Sequence, residues 1–402
     1  MIQVLSSSWA LLLGLLLLMI GNGLQGTLLG VRGNYEGFST TALSLVMAAY
    51  FAGFLAASRI VPRLISRVGH VRVFAALGSF ISAILILYPA MAHPVAWIVL
   101  RALIGFCFCG VYIISESWLN SAVDNENRGK AMSIYLIAQM LGIISAQGIL
   151  AYGDPTGWLL FVIPSVLISI SFAPILLSVT PTPSFGETKL MSLRKLIETS
   201  PLSAMGVFLL GGVFAAQFGM SAVFGTLAGL SVKQISLFVA VIYSGGLLLQ
   251  YPIGWVSDRM DRRKLIAILA GAGFGAALIG AIGISSFPLV LLSGFLIGGI
   301  SNPLYGLLIA HTNDFLDRSD MAAASGGLLF INGVGAILGP IVTGWLLDVI
   351  GPAGYFVIIG VLLALLTLYT LWRMQRRQLA TEPEKVMLVP VTAAPIDPDA
   401  TP

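Results

Sequence analysis

Long apolar segments alternate with short polar ones along the whole chain. Each apolar segment extends for about 20 residues without the apolar–polar alternation of a strand, and a helix of about 20 residues crosses a bilayer. Because lipid offers the backbone no hydrogen-bond partners, such segments are predicted to be helices. Twelve of them occur, at residues 9–30, 41–61, 73–91, 96–119, 131–151, 158–178, 203–227, 234–253, 265–284, 287–311, 323–346 and 353–372.

The twelve segments form two related halves of six. Five identical residues recur at an offset of 193 positions within or beside segments four, five, ten and eleven. These pairs are Gly105 and Gly298, Tyr112 and Tyr305, Asn120 and Asn313, Asp124 and Asp317, and Gly142 and Gly335. We therefore predict an all-α membrane protein of two parallel six-helix bundles, an architecture that transporters use with a site between the halves.

The polar stretches set the boundaries of these parts. We predict a first bundle at residues 1–178, a cytoplasmic linker at 179–202, a second bundle at 203–372 and a tail at 373–402. Within the linker, residues 192–198 form a predicted surface helix, with Leu193, Leu196 and Ile197 towards the bilayer. The tail is rich in proline and polar residues, so we expect it to be disordered.

Composition and the placement of charge refine this picture. Apolar residues make up 57% of the chain and charged residues 9%, whereas soluble domains carry about 25% charged residues. Of the 21 lysines and arginines, 18 lie in or beside the C-terminal tail and the loops that follow even-numbered segments, while the opposite loops hold only Arg32 and Lys233. Since positively charged loops stay in the cytoplasm, we expect a multi-pass protein of the plasma (inner) membrane with both termini cytoplasmic.

Two basic stretches occupy equivalent places in the halves, at residues 62–72 and 254–264. Residues 254–263 read Gly-x3-Asp-Arg-x-Asp-Arg-Arg, which resembles the loop signature Gly-x3-Asp-Arg-x-Gly-Arg-Arg of the major facilitator superfamily, with Asp261 in place of the last glycine. The first copy departs further and keeps only Arg67 and Gly69 from that signature. The resemblance extends over nearly the whole chain, from Trp9 to about Trp372.

Further elements carry the same resemblance. Arg101-x3-Gly105 in segment four resembles an Arg-x3-Gly element of the superfamily, and Gly-x3-Gly-Pro at residues 335–340 resembles its antiporter element. Glu-Ser-Trp-Leu-Asn at residues 116–120 is similar to a largely uncharacterised bacterial subfamily. The resemblance implies a secondary transporter, with efflux favoured. A proton-coupled uptake permease, or a non-transporting membrane sensor with the same fold, is the alternative.

Arg101 lies inside segment four, a few residues from its outer end. A charge in the hydrocarbon is costly, so an intramembrane arginine indicates a function, here in substrate or proton handling. The alternative interpretation is that its long side chain extends to the nearby membrane surface.

Glu116 lies near the cytoplasmic end of the same segment. We predict that it pairs with Arg67 and Arg72 as a cytoplasmic gate when the inner side is shut, or acts as a protonatable switch, because desolvation favours the neutral carboxyl. In the second half, the resemblance implies that Asp258, followed by Arg259, steadies the inner end of a facing helix. The alternative for this pair is a plain turn whose charges set the topology.

Polar groups inside segments one and seven are further candidates for a solute or proton pathway. The amides of Asn22, Gln25 and Gln217 need partners in lipid, so we expect them to face a cavity or to join neighbouring helices. Tyrosines within or near the segments could line an amphipathic cavity or anchor the helices at the interface. These are Tyr50, Tyr112, Tyr135, Tyr243 and Tyr305, of which Tyr112 and Tyr305, well inside segments four and ten, are the preferred candidates.

Sequence motifs for other chemistries do not occur. The chain has no Gly-x4-Gly-Lys-Ser/Thr phosphate loop and no His-Glu-x-x-His zinc pattern. We therefore predict no enzyme activity, no cofactor and no metal, and expect an ion or solute gradient, with protons first, to drive transport. Because the cations follow the topology, we predict no nucleic-acid partner. The expected partners are a small neutral or amphipathic solute, a proton and the lipid bilayer, and we expect a monomer.

Overall fold

The computed structural model describes residues 2–121, 128–177, 192–317 and 320–376, and within them every regular element is helical. Fourteen α-helices and one π-helical turn account for these elements. The helices are α1 (Ile2–Tyr35), α2 (Thr40–Val68), α3 (His70–Ala90), α4 (Pro94–Ser121), α5 (Arg128–Tyr152), α6 (Leu159–Leu177), α7 (Leu193–Thr199), α8 (Pro201–Ala215), α9 (Ser221–Leu227), α10 (Val232–Ser257), α11 (Arg262–Ile282), α12 (Phe287–Asn313), α13 (Met321–Ile350) and α14 (Ala353–Arg376).

The helices match the twelve predicted segments. Eleven spans among the described residues are long and apolar enough to cross a membrane, with α8, the π-helical turn and α9 forming one continuous span. The twelfth is α6, whose fully described apolar part covers Leu159–Ala173. The prediction of an all-α membrane protein with twelve transmembrane helices in two six-helix bundles is therefore confirmed.

The two bundles repeat the same close helix contacts. Gly105 on α4 lies against the carbonyl oxygen of Tyr50 on α2, so near that an added Cβ would be 1.9 Å from that oxygen. Its predicted counterpart Gly298 on α12 lies against the carbonyl oxygen of Ile242 on α10, where an added Cβ would be 2.0 Å away. Only glycine permits backbones to approach this closely, which explains why these two positions share a residue.

A second glycine pair gives the same result for other helices. Gly142 on α5 packs on α1, where an added Cβ would lie 2.8 Å from the carbonyl oxygen of Leu16. Gly335 on α13 packs on α8, where an added Cβ would lie 2.0 Å from the carbonyl oxygen of Phe208. The offset of 193 in sequence thus corresponds to equivalent packing in space.

The first basic stretch is less of a loop than the sequence suggests. Helix α2 continues to Val68 and α3 begins at His70, so Gly69 is the only residue between them. Gly69 has φ +87°, a left-handed conformation that favours glycine. In the second half, residues 258–261 form a true connection, and the Asp261 side chain accepts a hydrogen bond of 2.8 Å from the Arg263 backbone N–H at the start of α11.

The linker helix α7 also differs in detail from its prediction. It spans Leu193–Thr199, close to the predicted range. However, Leu196 is fully buried and faces Gly327 of α13, so its predicted orientation towards the bilayer is wrong. Helix α14 extends to Arg376, beyond the predicted end at residue 372. The rest of the predicted tail, Asp124 and most of the linker lie outside the described residues.

Candidate functional site

A cavity of about 260 Å³ lies between the two bundles. Its residues come from near the middle of their helices, at the depth expected for a site between parallel halves. The first bundle contributes Asn22, Gly23, Gly26, Thr27, Tyr50, Phe51, Arg101, Tyr112, Leu136, Gln139, Met140 and Ile143. The second bundle contributes Phe218, Gly219, Val239, Tyr243 and Asn302.

Arg101 lies on the first bundle's side of this cavity and is 4% exposed. Its Nη1 donates a hydrogen bond to Oε1 of Gln25, and its Nη2 lies 3.8 Å from the Met47 sulfur. The guanidinium carbon is 4.7 Å from the centre of the Tyr50 ring, a cation–π distance. The side chain therefore points into the protein and does not extend to the membrane surface.

A row of hydrogen bonds continues from Arg101 through Gln25, which is buried behind the cavity wall, to residues that line the wall. Gln25 Nε2 donates to Oδ1 of Asn22 at 3.0 Å, and Asn22 Nδ2 donates to the Tyr112 hydroxyl at 3.0 Å. That hydroxyl in turn lies 3.3 Å from the sulfur of Met19. Four residues singled out from the sequence, Arg101, Gln25, Asn22 and Tyr112, are thus joined in one network.

On the opposite wall, the seventh span changes its helical geometry. Residues Ala216–Met220 form a π-helical turn, and such turns are frequent at functional sites. Phe218 within this turn stacks on Tyr243, with ring centres 4.9 Å apart and planes at 20°. Gln217 points the other way, is 1% exposed and donates to Ser301 at 3.1 Å. Gln217 therefore joins two helices of the second bundle and does not line the cavity.

The cavity lining differs at three further positions from the residues singled out from the sequence. Tyr305 is half-buried against Phe214, with ring centres 6.0 Å apart, and is not among the residues lining the cavity. Gln139 and Asn302 do line it. Both are amides inside apolar segments, so the reasoning applied to Asn22 could have found them.

Glu116 lies about 22 Å from Arg101 along α4, since each helical residue rises 1.5 Å. Its side chain is exposed and accepts a hydrogen bond of 3.3 Å from the Tyr135 hydroxyl. Arg67 and Arg72 are also exposed, and no ion pair among the described residues joins either of them to Glu116. The gate pairing is not formed in this conformation and stays a prediction.

Charged residues of the second basic stretch mostly contact residues of the same stretch or of neighbouring helix ends. The Arg259 guanidinium lies 3.9 Å from the Trp255 ring centre and donates to the Trp255 carbonyl at 2.9 Å. Asp258 is exposed, and we find no hydrogen bond to its carboxylate among the described residues. The carboxylate that caps a helix here is that of Asp261, while Arg262 forms an ion pair with Asp314 at the end of α12.

Contacts between the bundles close the end of the molecule that lies away from the chain termini, here called the distal end. Thr41 Oγ1 on α2 lies 3.2 Å from Oδ2 of Asp348 on α13. Lys233 at the start of α10 lies over the ring of Tyr152 at the end of α5, at 5.3 Å. An apolar cluster of Val31, Ala222 and Ile235 fills the space between α1, α9 and α10. The cavity is thus separated from the distal surface by packed side chains.

We find no metal-binding site among the described residues. No group of three or more His, Cys, Asp or Glu side chains there could hold an ion. Cys107 and Cys109 are both buried and free. The site therefore consists of one guanidinium, several amides and a set of aromatic rings, which suits reversible binding.

Known proteins resemble this chain over most of its length. The "Uncharacterized MFS-type transporter YcaD" of Escherichia coli O6:K15:H31 is 25% identical over 343 residues, which cover 84% of this chain and 88% of that protein. The protein of the same description from Salmonella enteritidis PT4 is 24% identical over 334 residues, covering 82% and 86%.

Solved structures share the fold. The nucleoside transporter NupG superimposes with a TM-score of 0.74 at 16% identity and covers 94% of this chain and 100% of its own. A bacterial homologue of the human lysosomal transporter Spinster, in an inward-facing and occupied conformation, gives a TM-score of 0.73 at 16% identity, covering 90% and 96%. At these identities the likeness concerns the fold.

The family is assigned from a match between the sequence and a family model. The model of the Major Facilitator Superfamily matches residues 11–231 and again residues 209–396, which together include nearly the whole chain. The chain therefore belongs to the Major Facilitator Superfamily of membrane transporters.

Proposed function

We propose that this protein moves a small amphipathic solute across the membrane by alternating access, with the central cavity as the binding site. The observation that carries the proposal is a polar and aromatic cavity at mid-depth that both bundles line and that packed side chains close at the distal end. In a protein built of two parallel bundles, rocking one bundle against the other would expose such a cavity to each side in turn.

The conformation we assign is inward-facing. The placement of 18 of 21 lysines and arginines supports a cytoplasmic location for the end that carries the termini. At that end Glu116, Tyr251 and Trp255 are exposed, whereas the distal contacts are closed. One contact between the bundles also occurs in the half nearer the termini, where Arg59 lies 4.3 Å from the Phe330 ring centre.

Proton coupling is part of the proposal. Two ionisable groups of the first bundle lie on α4, with Arg101 beside the cavity and Glu116 nearer the terminal end. Protonation of the Glu116 carboxylate would release it from the basic residues of a gate, because it removes the charge that pairs with them. We propose export as the direction, from the family resemblance, with uptake as the alternative.

The test is side-dependent labelling of a cysteine inside the cavity. Asn302→Cys is placed in a background without Cys107 and Cys109 and treated with a membrane-impermeant maleimide in right-side-out and in inverted vesicles. We expect labelling from both sides. A second cysteine variant, Ser286→Cys at the distal start of α12, should react from the outside only and reports the orientation.

A bridge across the distal end sharpens this test. Oxidising Thr41→Cys with Asp348→Cys should abolish labelling of residue 302 from the outside and leave inside labelling intact. Labelling of residue 302 from one side only, with and without the bridge, would contradict alternating access.

A further inference from the structure

We propose that the transported solute is an amphipathic organic monoanion, with a carboxylate that binds Arg101 and an apolar ring or chain that lies against Phe218 and Tyr243. This inference rests on the proposed transport function and adds the charge and shape of the solute. It starts from the electrostatic state of Arg101.

Among the residues that the structure describes, none in the cavity is a counter-ion to Arg101. Three described groups touch its guanidinium: the Gln25 amide, the Met47 thioether and the Tyr50 ring. The Tyr88 hydroxyl lies close by. All four groups are neutral. None of the residues lining the cavity is an aspartate or a glutamate. Glu116, on the same helix, lies about 22 Å away, too far to neutralise it.

Donor capacity around this charge is also unused. Arg101 Nε is buried and makes no hydrogen bond among the described residues. The neutral hydroxyl of Tyr88 lies close to the guanidinium, but Tyr88 does not line the cavity. A buried charge and a buried donor without a partner are costly, and an anionic ligand that binds the guanidinium would satisfy both. Arginine is also the side chain whose planar fork best matches a carboxylate.

The two walls of the cavity differ in character. Around Arg101, the first bundle presents the amides of Asn22 and Gln139. The second bundle presents the stacked rings of Phe218 and Tyr243. A molecule that satisfies both walls must be polar at one end and apolar, preferably flat, at the other.

The volume of the cavity and the number of charges lining it limit the class of solute further. The cavity volume of about 260 Å³ lies just below the range of roughly 300–1,000 Å³ typical of ligand pockets, so the solute is small. Of the described residues that line the cavity, Arg101 is the only charged one. One guanidinium balances one negative charge, which favours a carboxylate over a doubly charged phosphate ester.

The proposal is tested on the purified full-length protein with matched probes. Benzoate, phenylacetate, phenylpropionate and indoleacetate are each compared with the corresponding carboxamide and primary amine, at neutral pH and up to millimolar concentration. Binding is measured as thermal stabilisation, which rises with ligand concentration relative to Kd. We expect at least one carboxylate to bind about tenfold or more tightly than its carboxamide, because hydrogen bonds between ions are the stronger ones, and the amine not to bind.

Two variants test whether the preference for the carboxylate arises from Arg101. Arg101→Gln removes the cation, and Gln25→Glu supplies a nearly isosteric internal counter-ion while keeping Arg101 in place. Both should remove the preference for the carboxylate, so that a carboxylate and its carboxamide bind with affinities within about twofold of each other. Gln25→Glu keeps the test valid if Arg101→Gln fails to fold. Arg194→Gln, an exposed change on α7, is the matched control and should behave as wild type.

The outcomes separate this inference from the transport proposal. Three results would each overturn the assignment of an anionic solute. Carboxamides or amines could bind as tightly as the carboxylates or more tightly, or no carboxylate could stabilise the protein. The third is a preference for the carboxylate that is unchanged in Gln25→Glu. None of these results affects the labelling of residue 302 from the two sides, which requires no ligand. Conversely, one-sided labelling with intact carboxylate binding would overturn transport and leave an anion-binding membrane protein.

Discussion

At the scale of single residues, the buried guanidinium of Arg101 dominates the energetics of the cavity. An ion taken out of water costs several kcal/mol in a protein interior, even after relaxation. Here an amide and an aromatic ring offset part of that cost, and no carboxylate does. A charge kept at such expense is better explained by function than by stability.

Replacing Arg101 with alanine should therefore separate function from folding. We expect Arg101→Ala to insert normally and to keep or raise its melting temperature, because the variant no longer buries an unpaired charge. Solute-dependent proton movement in proteoliposomes should fall at least tenfold. Wild-type proton movement in this variant would remove Arg101 from the mechanism.

Glu116 gives a second test at the residue scale. Its carboxylate is exposed and bonded to Tyr135, while Arg67 and Arg72 lie exposed at the same end. If these groups pair when the terminal end closes, Glu116→Gln should favour the state open at that end. The measurement is the reaction rate of Asn302→Cys with maleimide from the cytoplasmic side, which we expect to rise severalfold. An unchanged rate would count against the gate.

Polar residues on and behind the first wall could be predicted from the sequence because an amide or a charge in an apolar helix must find a polar partner. That rule is local, and it found Asn22, Gln25 and Arg101. It could not tell which way Gln217 points, because this depends on the π-helical turn around it. The sequence also could not show which carboxylate of the second basic stretch caps a helix. In the structure Asp261 does so and Asp258 does not.

At the scale of helices, paired glycines hold each bundle together. Gly53 on α2 meets the carbonyl oxygen of Ala102 on α4, where an added Cβ would lie 1.8 Å away. In the other half, Gly245 on α10 meets the carbonyl oxygen of Phe295 on α12, with 2.1 Å for an added Cβ. Helices in lipid associate through such close packing, because burying apolar surface gains little there.

These contacts predict matched effects on stability. Gly53→Ala and Gly245→Ala should each lower the free energy of unfolding by about 1–3 kcal/mol, the usual cost of overpacking. The control is Gly148→Ala on α5, where an added Cβ would meet nothing within 4 Å. It should be stabilising by up to about 1 kcal/mol, since alanine is the better helix former. Denaturant titration of the purified variants measures all three, and equal stabilities would contradict the packing argument.

Helix positions were predictable because apolar length alone defines a span in lipid. The short connection at Gly69 could not be predicted, because a run of basic residues indicates a loop even where the helix continues through it. The π-helical turn at Ala216–Met220 was hidden for another reason. Its sequence is ordinary, and only packing against neighbouring helices distinguishes it from an α-helical turn.

At the scale of the whole molecule, the distal contacts should control access to the cavity. The Thr41 and Asp348 side-chain oxygens lie 3.2 Å apart on opposite bundles, so cysteines at these positions can form a bridge. Oxidation of the double variant should reduce transport at least tenfold, and a reductant should restore it. Thr41→Cys alone should be insensitive to oxidant, and full transport by the bridged protein would mean that this end need not open.

The most direct measurement of the central claim is the distance between spin labels at the two ends of the bundles. One pair replaces Tyr35 and Leu227 at the distal end, and the other replaces Val71 and Lys264 at the end that carries the termini, all on exposed positions. Our account predicts two populations whose distances change in opposite directions at the two ends as pH is varied, and Arg101→Ala should alter their ratio. A single fixed distance for both pairs under all conditions would contradict it.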